Sequence, residues 1–246
     1  MDNMLYIAMT GAKQMLEAQG ANSNNLANIN TSGFRADLAA FKSLPVSGPG
    51  FASRVYARAD GNGVDLSAGT VTTTGRELDV AVNGEGWIAV QGADGKEAYT
   101  RSGELRISAN GVLETYGGYA VLGDGGPITL PPADKLEIGV DGTVSIRPVG
   151  QEPSTLAVVG RIKLANPPAD QLAKGTDGLM RLKDGSSAPA EASVKLVSGA
   201  LESSNVNSVD AMANMIELSR MYDMQIKIMK EAQQNDAASA QLMTLA

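Results

Sequence analysis

Glycine and proline are kept apart from methionine along this chain, and that segregation constrains its fold more than any other feature of the sequence. Of the 28 glycines, 24 lie between residues 46 and 198, and all ten prolines lie between Pro45 and Pro189. Ten of the eleven methionines lie instead in the first 45 or the last 48 residues. Because glycine and proline break helices while methionine favours them, the sequence predicts a helix at each end and a turn-rich β region between them.

Both ends carry an apolar repeat with the alternating spacing of four and three residues that is typical of a coiled coil. The first repeat runs through Leu5, Met9, Ala12 and Leu16 and continues through Gln19, Ser23 and Leu26. The second runs through Met212, Met215, Ser219, Tyr222, Ile226 and Met229. Asn205 or Ser208 is placed to cap a second helix, about residues 209–243, which would be about 50 Å long. Such a helix is longer than a compact domain requires, which favours a role in assembly.

The middle of the chain is punctuated by Asp-Gly and Asn-Gly pairs, which favour tight turns. Asn83-Gly84 separates two apolar runs, residues 78–82 and 87–90, and predicts that these runs pair as a hairpin. The pattern predicts an α+β chain whose central antiparallel β domain is a barrel or a sandwich. We expect an N-terminal assembly helix and motif in residues 1–33, a connector or extended arm in 34–77, the β domain in 78–198 and a C-terminal assembly helix in 199–246.

The composition argues against catalysis and against several kinds of ligand. The chain has neither histidine nor cysteine, so the commonest general base and the commonest metal ligands are missing. We therefore expect no catalytic residue, no metal and no cofactor. A net charge of −7 disfavours binding to nucleic acid. No apolar run approaches the roughly 20 residues that cross a membrane, so we expect no membrane insertion, and the first residues lack the pattern of a cleaved secretory signal.

Three stretches of the sequence form recognisable motifs. The first is Asn24-Asn25-Leu26-Ala27-Asn28, followed by Thr31 and by Gly33-Phe34-Arg35. The second runs from Leu78 to Trp87 and continues at Tyr99-Thr100-Arg101, and the third combines Asn205-Val206-Asn207 with Met212, Met215, Arg220 and Tyr222. In their order and spacing these motifs resemble the flagellar basal-body rod and hook family of axial proteins. Trp87 and the short central domain are most similar to the proximal rod branch of that family.

This resemblance implies a fold in which both terminal helices form an inner coiled-coil layer and the β domain lies outside. It implies a structural subunit of the proximal rod, in the periplasmic part of the basal body, which polymerises through its terminal helices and transmits torque. The partners would be other rod proteins, further copies of the chain and the flagellar type III export apparatus, in keeping with the missing secretory signal. A distal-rod or hook-type subunit is the alternative within the family.

The two repeats and the first motif supply the residues that we expect at the assembly interface. They are Leu5, Met9, Leu16, Asn24, Asn25, Leu26, Asn28, Gly33 and Phe34 near the N-terminus, and Met212, Met215, Tyr222, Ile226 and Met229 in the C-terminal helix. The apolar members would pack between helices, while the asparagines would fix their register at some cost in stability. Arg101 lies in an alternating, strand-like stretch, which leaves it open between a solvent-exposed position and a contact with a partner.

Two other interpretations remain open from the sequence. Both helices could pack on the β domain of the same monomer, in which case they would not be assembly surfaces. A secreted, β-rich enzyme acting on glycans is a more remote alternative, because a pair of carboxylates can hydrolyse glycosidic bonds. Its best candidates are Glu77 and Asp79, alternate residues that would share one face of a strand.

Overall fold

The computed structural model describes residues 4–45, 55–148 and 156–244, and the chain divides into two units. The helical unit is made of residues 1–28, 36–65 and 206–246, and the β unit of residues 29–35 and 66–205. The helical unit contains helices α1 (Met4–Ala27) and α2 (Ser208–Thr244) and strands β1 (Asp37–Pro45) and β2 (Val55–Val64). Within the described ranges, no helix is long and apolar enough to cross a membrane.

Helix α2 begins and ends within one residue of the predicted range, but its cap was predicted wrongly. The side-chain oxygen of Asn207 accepts a hydrogen bond from the backbone N–H of Val209 at 2.9 Å, so Asn207 satisfies a donor of the first turn. Asn205 instead donates its side-chain amide to the carbonyl oxygen of Ser67 at 3.1 Å. Ser208 is already the first residue of the helix. Asn205, Asn207 and Ser208 lie within four positions of one another, which made the cap residue ambiguous in the sequence.

The two terminal helices lie antiparallel against each other and meet through small residues. Near the end of α1, the side-chain amide of Asn22 donates to the carbonyl oxygen of Ala211, at the start of α2, at 2.7 Å. A Cβ atom added to Gly11 would lie 3.1 Å from the side-chain amide carbon of Gln225, so there is little room between the helices. Among the side chains of the pair that the structure describes, the fully buried apolar ones are all alanines: Ala8, Ala12, Ala18, Ala211 and Ala232. The helices therefore approach closely, and several of their larger apolar side chains, such as Met9, Leu16 and Met212, stay exposed.

Strands β1 and β2 form an antiparallel hairpin that belongs to the helical unit. The side chain of Asn25, in the last turn of α1, fixes the start of this hairpin. Its Nδ2 donates to the carbonyl oxygen of Asp37 and its Oδ1 accepts from the backbone N–H of Asp37, both at 2.8 Å. Residues 34–77, expected as a connector or extended arm, thus include a hairpin pinned to α1.

Outside residues 149–155, which the structure does not describe, the β unit contains sixteen short strands and one turn of 3₁₀ helix, Ala169–Gln171. The strands are β3 (Val71–Thr73), β4 (Val80–Asn83), β5 (Trp87–Gln91), β6 (Glu97–Thr100), β7 (Leu105–Ile107), β8 (Leu113–Thr115), β9 (Leu122–Gly123), β10 (Gly126–Pro127), β11 (Ala133–Ile138), β12 (Thr143–Pro148), β13 (Ala157–Arg161), β14 (Leu164–Ala165), β15 (Leu172–Lys174), β16 (Met180–Leu182), β17 (Lys195–Ser198) and β18 (Ala200–Glu202).

These strands pair antiparallel, as the turn-rich sequence predicts. The largest sheet has the order β14-β5-β6-β16-β15, a second has the order β11-β12-β13, and the other strands of the unit pair in twos. The described strands close into no barrel. Branched aliphatic side chains fill one core, including the fully buried Val80, Ile88, Val90, Leu105, Leu113, Val121, Val144 and Leu196. The β unit therefore has a hydrophobic core of its own.

The hairpin predicted at Asn83-Gly84 does not form. Strand β4 pairs with β17, from the other end of the unit, while β5 pairs with β6 and β14. Gly84 (φ +80°) and Gly86 (φ +124°) give the turn a left-handed backbone that sends the chain into a different sheet. The turn chemistry was predicted correctly, but the strand partner depends on residues more than a hundred positions away.

Buried Tyr99 makes the stability of the β unit dependent on pH. Its hydroxyl donates to Glu97 Oε1 at 2.8 Å and accepts from the backbone N–H of Ala188 at 2.6 Å, and burial raises its pKa to about 12. Because the folded state keeps this proton after the unfolded state loses it near pH 10, stability is full below pH 10 and falls between pH 10 and 12, by roughly 3 kcal/mol. Urea unfolding at several pH values measures this loss. In Tyr99→Phe we expect a lower stability at pH 8 and a smaller loss above pH 10; an equal loss would contradict the assignment.

Candidate functional site

The residues predicted for the interface in α1 divide between an exposed and a half-buried group. Met9 and Leu16 are about half exposed, at 51% and 52%, and Asn24 is also exposed. Leu5 and Leu26 are half-buried. The sequence repeat therefore alternates between covered and exposed positions, and its Met9 and Leu16 side chains are turned outward.

The predicted residues of α2 show the same division. Met212 is 54% exposed, whereas Met215, Tyr222, Ile226 and Met229 are half-buried. The repeat missed two further exposed residues, Val209 and Ile216, which with Met212 recur at the i, i+3, i+7 spacing of one helix face. From Gln233 to Gln241 every side chain is exposed. Helix α2 thus presents an apolar outward stripe in its first turns and a polar, uncovered stretch in its last ones.

The asparagines of the first motif make contacts inside the chain. Asn25 is buried and bound to Asp37, as described above, and the side-chain amide of Asn28 donates to the carbonyl oxygen of Asn24 at 2.9 Å. Of the three, only Asn24 is an exposed side chain. The geometry assigns Asn25 and Asn28 a role in ending α1 and starting the hairpin.

Gly33 is required at its position in the β unit. Its φ is +68°, and an added Cβ would collide with the backbone carbonyl carbon of Arg101. Its N–H donates to the carbonyl oxygen of Glu202 at 2.8 Å. The neighbouring ring of Phe34 is half-buried, with the ammonium group of Lys174 4.0 Å from its centroid. Residues 29–35 therefore dock as a segment on the rest of the β unit.

Two arginines and one glutamate form a buried ionic cluster beneath this segment. Arg35 Nη2 donates to Glu202 Oε1 at 2.6 Å, and Arg101 Nη1 donates to Glu202 Oε2 at 3.0 Å. The side chains of Arg35 and Glu202 are 2% and 0% exposed. Arg101 also donates to the carbonyl oxygen of Gly84 at 2.8 Å. We call Arg35, Arg101, Glu202 and the adjoining Trp87 the arginine–glutamate cluster.

Trp87, the single tryptophan of the chain, faces both guanidinium groups of the cluster. Their central carbons lie 5.7 Å (Arg35) and 5.4 Å (Arg101) from the ring centroid, within cation–π range. Burial lowers the pKa of Arg101, while the charge of Glu202 raises it in opposition. Arg101 is therefore neither of the two alternatives that the sequence left open, because it is buried inside its own unit. Its partner Glu202 had no visible signal, since the two residues stand 101 positions apart.

The two carboxylates proposed for a glycan-acting site lie in different environments. Glu77 is exposed and lines a groove of about 890 Å³ between residues 107–111 and 130–136. Asp79 is buried, accepts a hydrogen bond from Thr74 at 2.7 Å and lies 3.3 Å from the Nε of Arg76. Among the described residues, no cluster of three or more acidic side chains is placed to hold a metal ion.

Comparison with known proteins accounts for the three motifs. Residues 5–35 match the model of flagella basal body rod proteins, residues 81–146 that of the flagellar hook protein FlgE/F/G D1 domain, and residues 197–242 that of the flagellar basal body rod FlgEFG protein C-terminal region. The chain is 40% identical to the flagellar basal-body rod protein FlgF of Salmonella typhimurium and 38% to FlgF of Escherichia coli, over all of each chain.

Rod proteins named FlgG are less similar to this chain than these two FlgF proteins. Identity to the flagellar basal-body rod protein FlgG of Bacillus subtilis is 32%, over 91% of this chain and 92% of that protein. Full-length identity of 40% to a rod protein, together with three matching family regions in the right order, shows the family. The chain belongs to the FlgF-like flagellar basal-body rod proteins.

Proposed function

We propose that this chain is built into the proximal part of the rod and assembles there through the outward faces of α1 and α2. As a rod-family protein it is a structural subunit of the flagellar basal body. The observation that carries the proposal is the set of large apolar side chains that the helix pair leaves exposed. They are Tyr6, Met9, Leu16, Val209, Met212, Ile216 and Met224.

The energetics of the helix pair support this proposal. In the described parts of α1 and α2 the fully buried apolar residues are alanines, whereas larger side chains such as Leu5, Tyr222 and Ile226 are only half-buried within the chain. Each large side chain left outside would contribute roughly 1.5–3 kcal/mol if a neighbouring subunit buried it fully. Apolar stripes of this kind on a protein surface mark interaction sites. The pair therefore leaves large apolar side chains exposed or partly covered, and neighbouring subunits could bury them.

The predicted interface residues take different parts in this proposal. Met9, Leu16 and Met212 are direct contacts, and Asn24 lies beside them on the exposed side of α1. The half-buried members border the α1–α2 contact and would be covered fully on assembly: Leu5, Leu26, Met215, Tyr222, Ile226 and Met229. Asn25, Asn28, Gly33 and Phe34 act indirectly, by holding the chain that leads from α1 into the hairpin and the β unit.

The proposed partners are other rod proteins and further copies of the chain, with the flagellar type III apparatus as the route of export. Many helix contacts acting together would distribute the torque among subunits. We infer no catalytic role. The burial of Asp79 and its ion pair with Arg76 disfavour the glycan-acting alternative, because the carboxylate cannot reach a substrate in the groove. A distal-rod position is the alternative within the family, since FlgG proteins are also similar.

Substituting one exposed residue of the stripe tests the proposed surface. We expect Met212→Asp to lower incorporation into basal bodies at least about tenfold, because a neighbour would have to bury a carboxylate in place of a methionine. Isolated basal bodies, probed for the chain, measure this. Asn214→Asp is the matched control, since residue 214 is exposed on the opposite side of α2 and gains the same charge. Both variants should keep the wild-type melting temperature, and equal incorporation of the two would refute the surface.

A further inference from the structure

Glu202 contacts three separate stretches of the chain within the β unit. Its Oε1 accepts from Arg35 at 2.6 Å and from the backbone N–H of Gly69 at 2.9 Å, and its Oε2 accepts from Arg101 at 3.0 Å. Its own carbonyl oxygen accepts from the N–H of Gly33 at 2.8 Å. One fully buried residue therefore holds together the docked segment, the start of the 66–205 stretch and Arg101, which directly follows strand β6.

These contacts lie where the chain enters and leaves the β unit. The chain crosses between its two units after residues 28, 35, 65 and 205. Gly33 and Arg35 stand just before the second crossing, Gly69 just after the third, and Glu202 just before the fourth. The backbone N–H of Asn205 also donates to the carbonyl oxygen of Phe34, at 3.3 Å. The chain segments at these crossings are thus bound to one another as well as to the core of the β unit.

The cluster that holds these chain segments has an unbalanced charge. Two guanidinium groups face one carboxylate, and Arg35 Nε, Arg35 Nη1 and Arg101 Nε have no hydrogen-bond partner among the described residues. Taking such groups out of water is costly, and the ion pairs repay the cost only in part. The aromatic face of Trp87 compensates to a limited extent. A segment held in this way opens locally at a lower free energy than the aliphatic core around it.

We propose that Glu202 is a positioning residue that clamps the crossings of the β unit, and that the clamp opens locally, releasing residues 29–35 while the core stays folded. The closed clamp fixes the directions in which the chain leaves the unit at Arg35 and Asn205. Because the chain segments at these crossings are all bound to Glu202, a force applied to one segment is distributed over the others. This last consequence rests on the proposed function, because it matters only to a subunit that transmits torque.

Trypsin cleavage after Arg35 in the full-length protein measures the opening. In the closed clamp the Arg35 side chain is buried, and its carbonyl oxygen accepts from Lys174 Nζ at 2.7 Å, so the protease cannot bind it. In Glu202→Gln we expect cleavage at this bond to be about 100-fold faster, because two buried guanidinium groups lose the carboxylate that both of them bind. Emission from Trp87 should shift to longer wavelength at the same time, while bonds after Arg161 and Arg181 inside the sheets stay intact.

Glu114→Gln is the matched control, because Glu114 forms an ion pair with Arg106 at 2.8 Å on the surface of the same unit. It should be cut after Arg35 at the wild-type rate. Wild-type cleavage in Glu202→Gln would overturn the proposal, and so would cleavage after Arg35 that appears only together with cleavage after Arg161 and Arg181, since opening would then be global.

A milder variant decides the question if Glu202→Gln does not fold. Arg35→Lys keeps the charge and the trypsin site but loses the planar guanidinium, and we expect about tenfold faster cleavage at residue 35 with an intact core. An unchanged rate would overturn the clamp. Met212→Asp should not alter this cleavage, so failure of the clamp and failure of the proposed assembly surface give different results.

Discussion

Gly33→Ala is expected to lower the free energy of unfolding of the β unit by about 4 kcal/mol or more. The new methyl group would meet both a left-handed backbone (φ +68°) and the backbone of Arg101, which belongs to a buried strand end and cannot move aside. Displacing the segment instead would break the hydrogen bond of Gly33 to Glu202 and the Arg35 ion pair. Urea unfolding followed by Trp87 fluorescence measures the loss.

Gly75→Ala separates the two causes of that loss, which are the left-handed backbone and the collision with Arg101. Gly75 has nearly the same backbone (φ +75°), but a Cβ atom there would meet nothing within 4 Å. It should therefore cost only the conformational penalty, about 1 kcal/mol. Equal losses in the two variants would show that residues 29–35 are not packed against the strand end as described.

Removing residues 209–246 is expected to abolish incorporation into the rod while the β unit keeps its cooperative unfolding. The β unit ends at Asn205, and its core residues lie between 78 and 196, so the deletion takes none of them. Helix α1 should lose helicity as well, because without α2 only the β1–β2 hairpin would pack on it and a helix of this length is marginal in water. Circular dichroism should therefore lose more helical signal than the deleted residues alone account for.

A shorter deletion, of residues 233–246, provides the comparison. No described side chain beyond Ala232 is buried, so the α1–α2 pair should persist and α1 should keep its helical signal. Loss of α1 helicity in this variant, or global unfolding of the longer one, would contradict the division of the chain into two units.

The sequence was informative wherever structure depends on neighbours in the chain. The helical repeats located α2 to within a residue, and the Asp-Gly and Asn-Gly pairs located turns correctly. Sequence patterns failed where the partner is remote. Asn83-Gly84 marked a turn but not the sheet into which β5 continues, and the pairing of Arg35 with Glu202 joins residues 167 positions apart.

The apolar repeats and the first motif also differ in how far the sequence alone reveals their roles. The apolar repeats show which side chains can lie on an outer helix face, because helical periodicity is local. The first motif looked like one surface, yet Asn25 ends a helix, Gly33 permits a close backbone approach and Arg35 completes a buried ion pair. Amino-acid type alone cannot separate these roles, because each is defined by a group that the fold brings from elsewhere.

Where α1 and α2 approach each other, the small buried residues should tolerate substitution less well than the large exposed residues of the same helices. At Ala8, Gly11 and Ala12 any larger side chain would force the helix axes apart, so these smallest positions should accept the fewest replacements. Met9 and Met212 are about half exposed, and their size can change as the surface that covers them changes. Divergence among axial subunits should therefore concentrate at the bulky outward positions, and each new neighbour would be accommodated without rebuilding the helix pair.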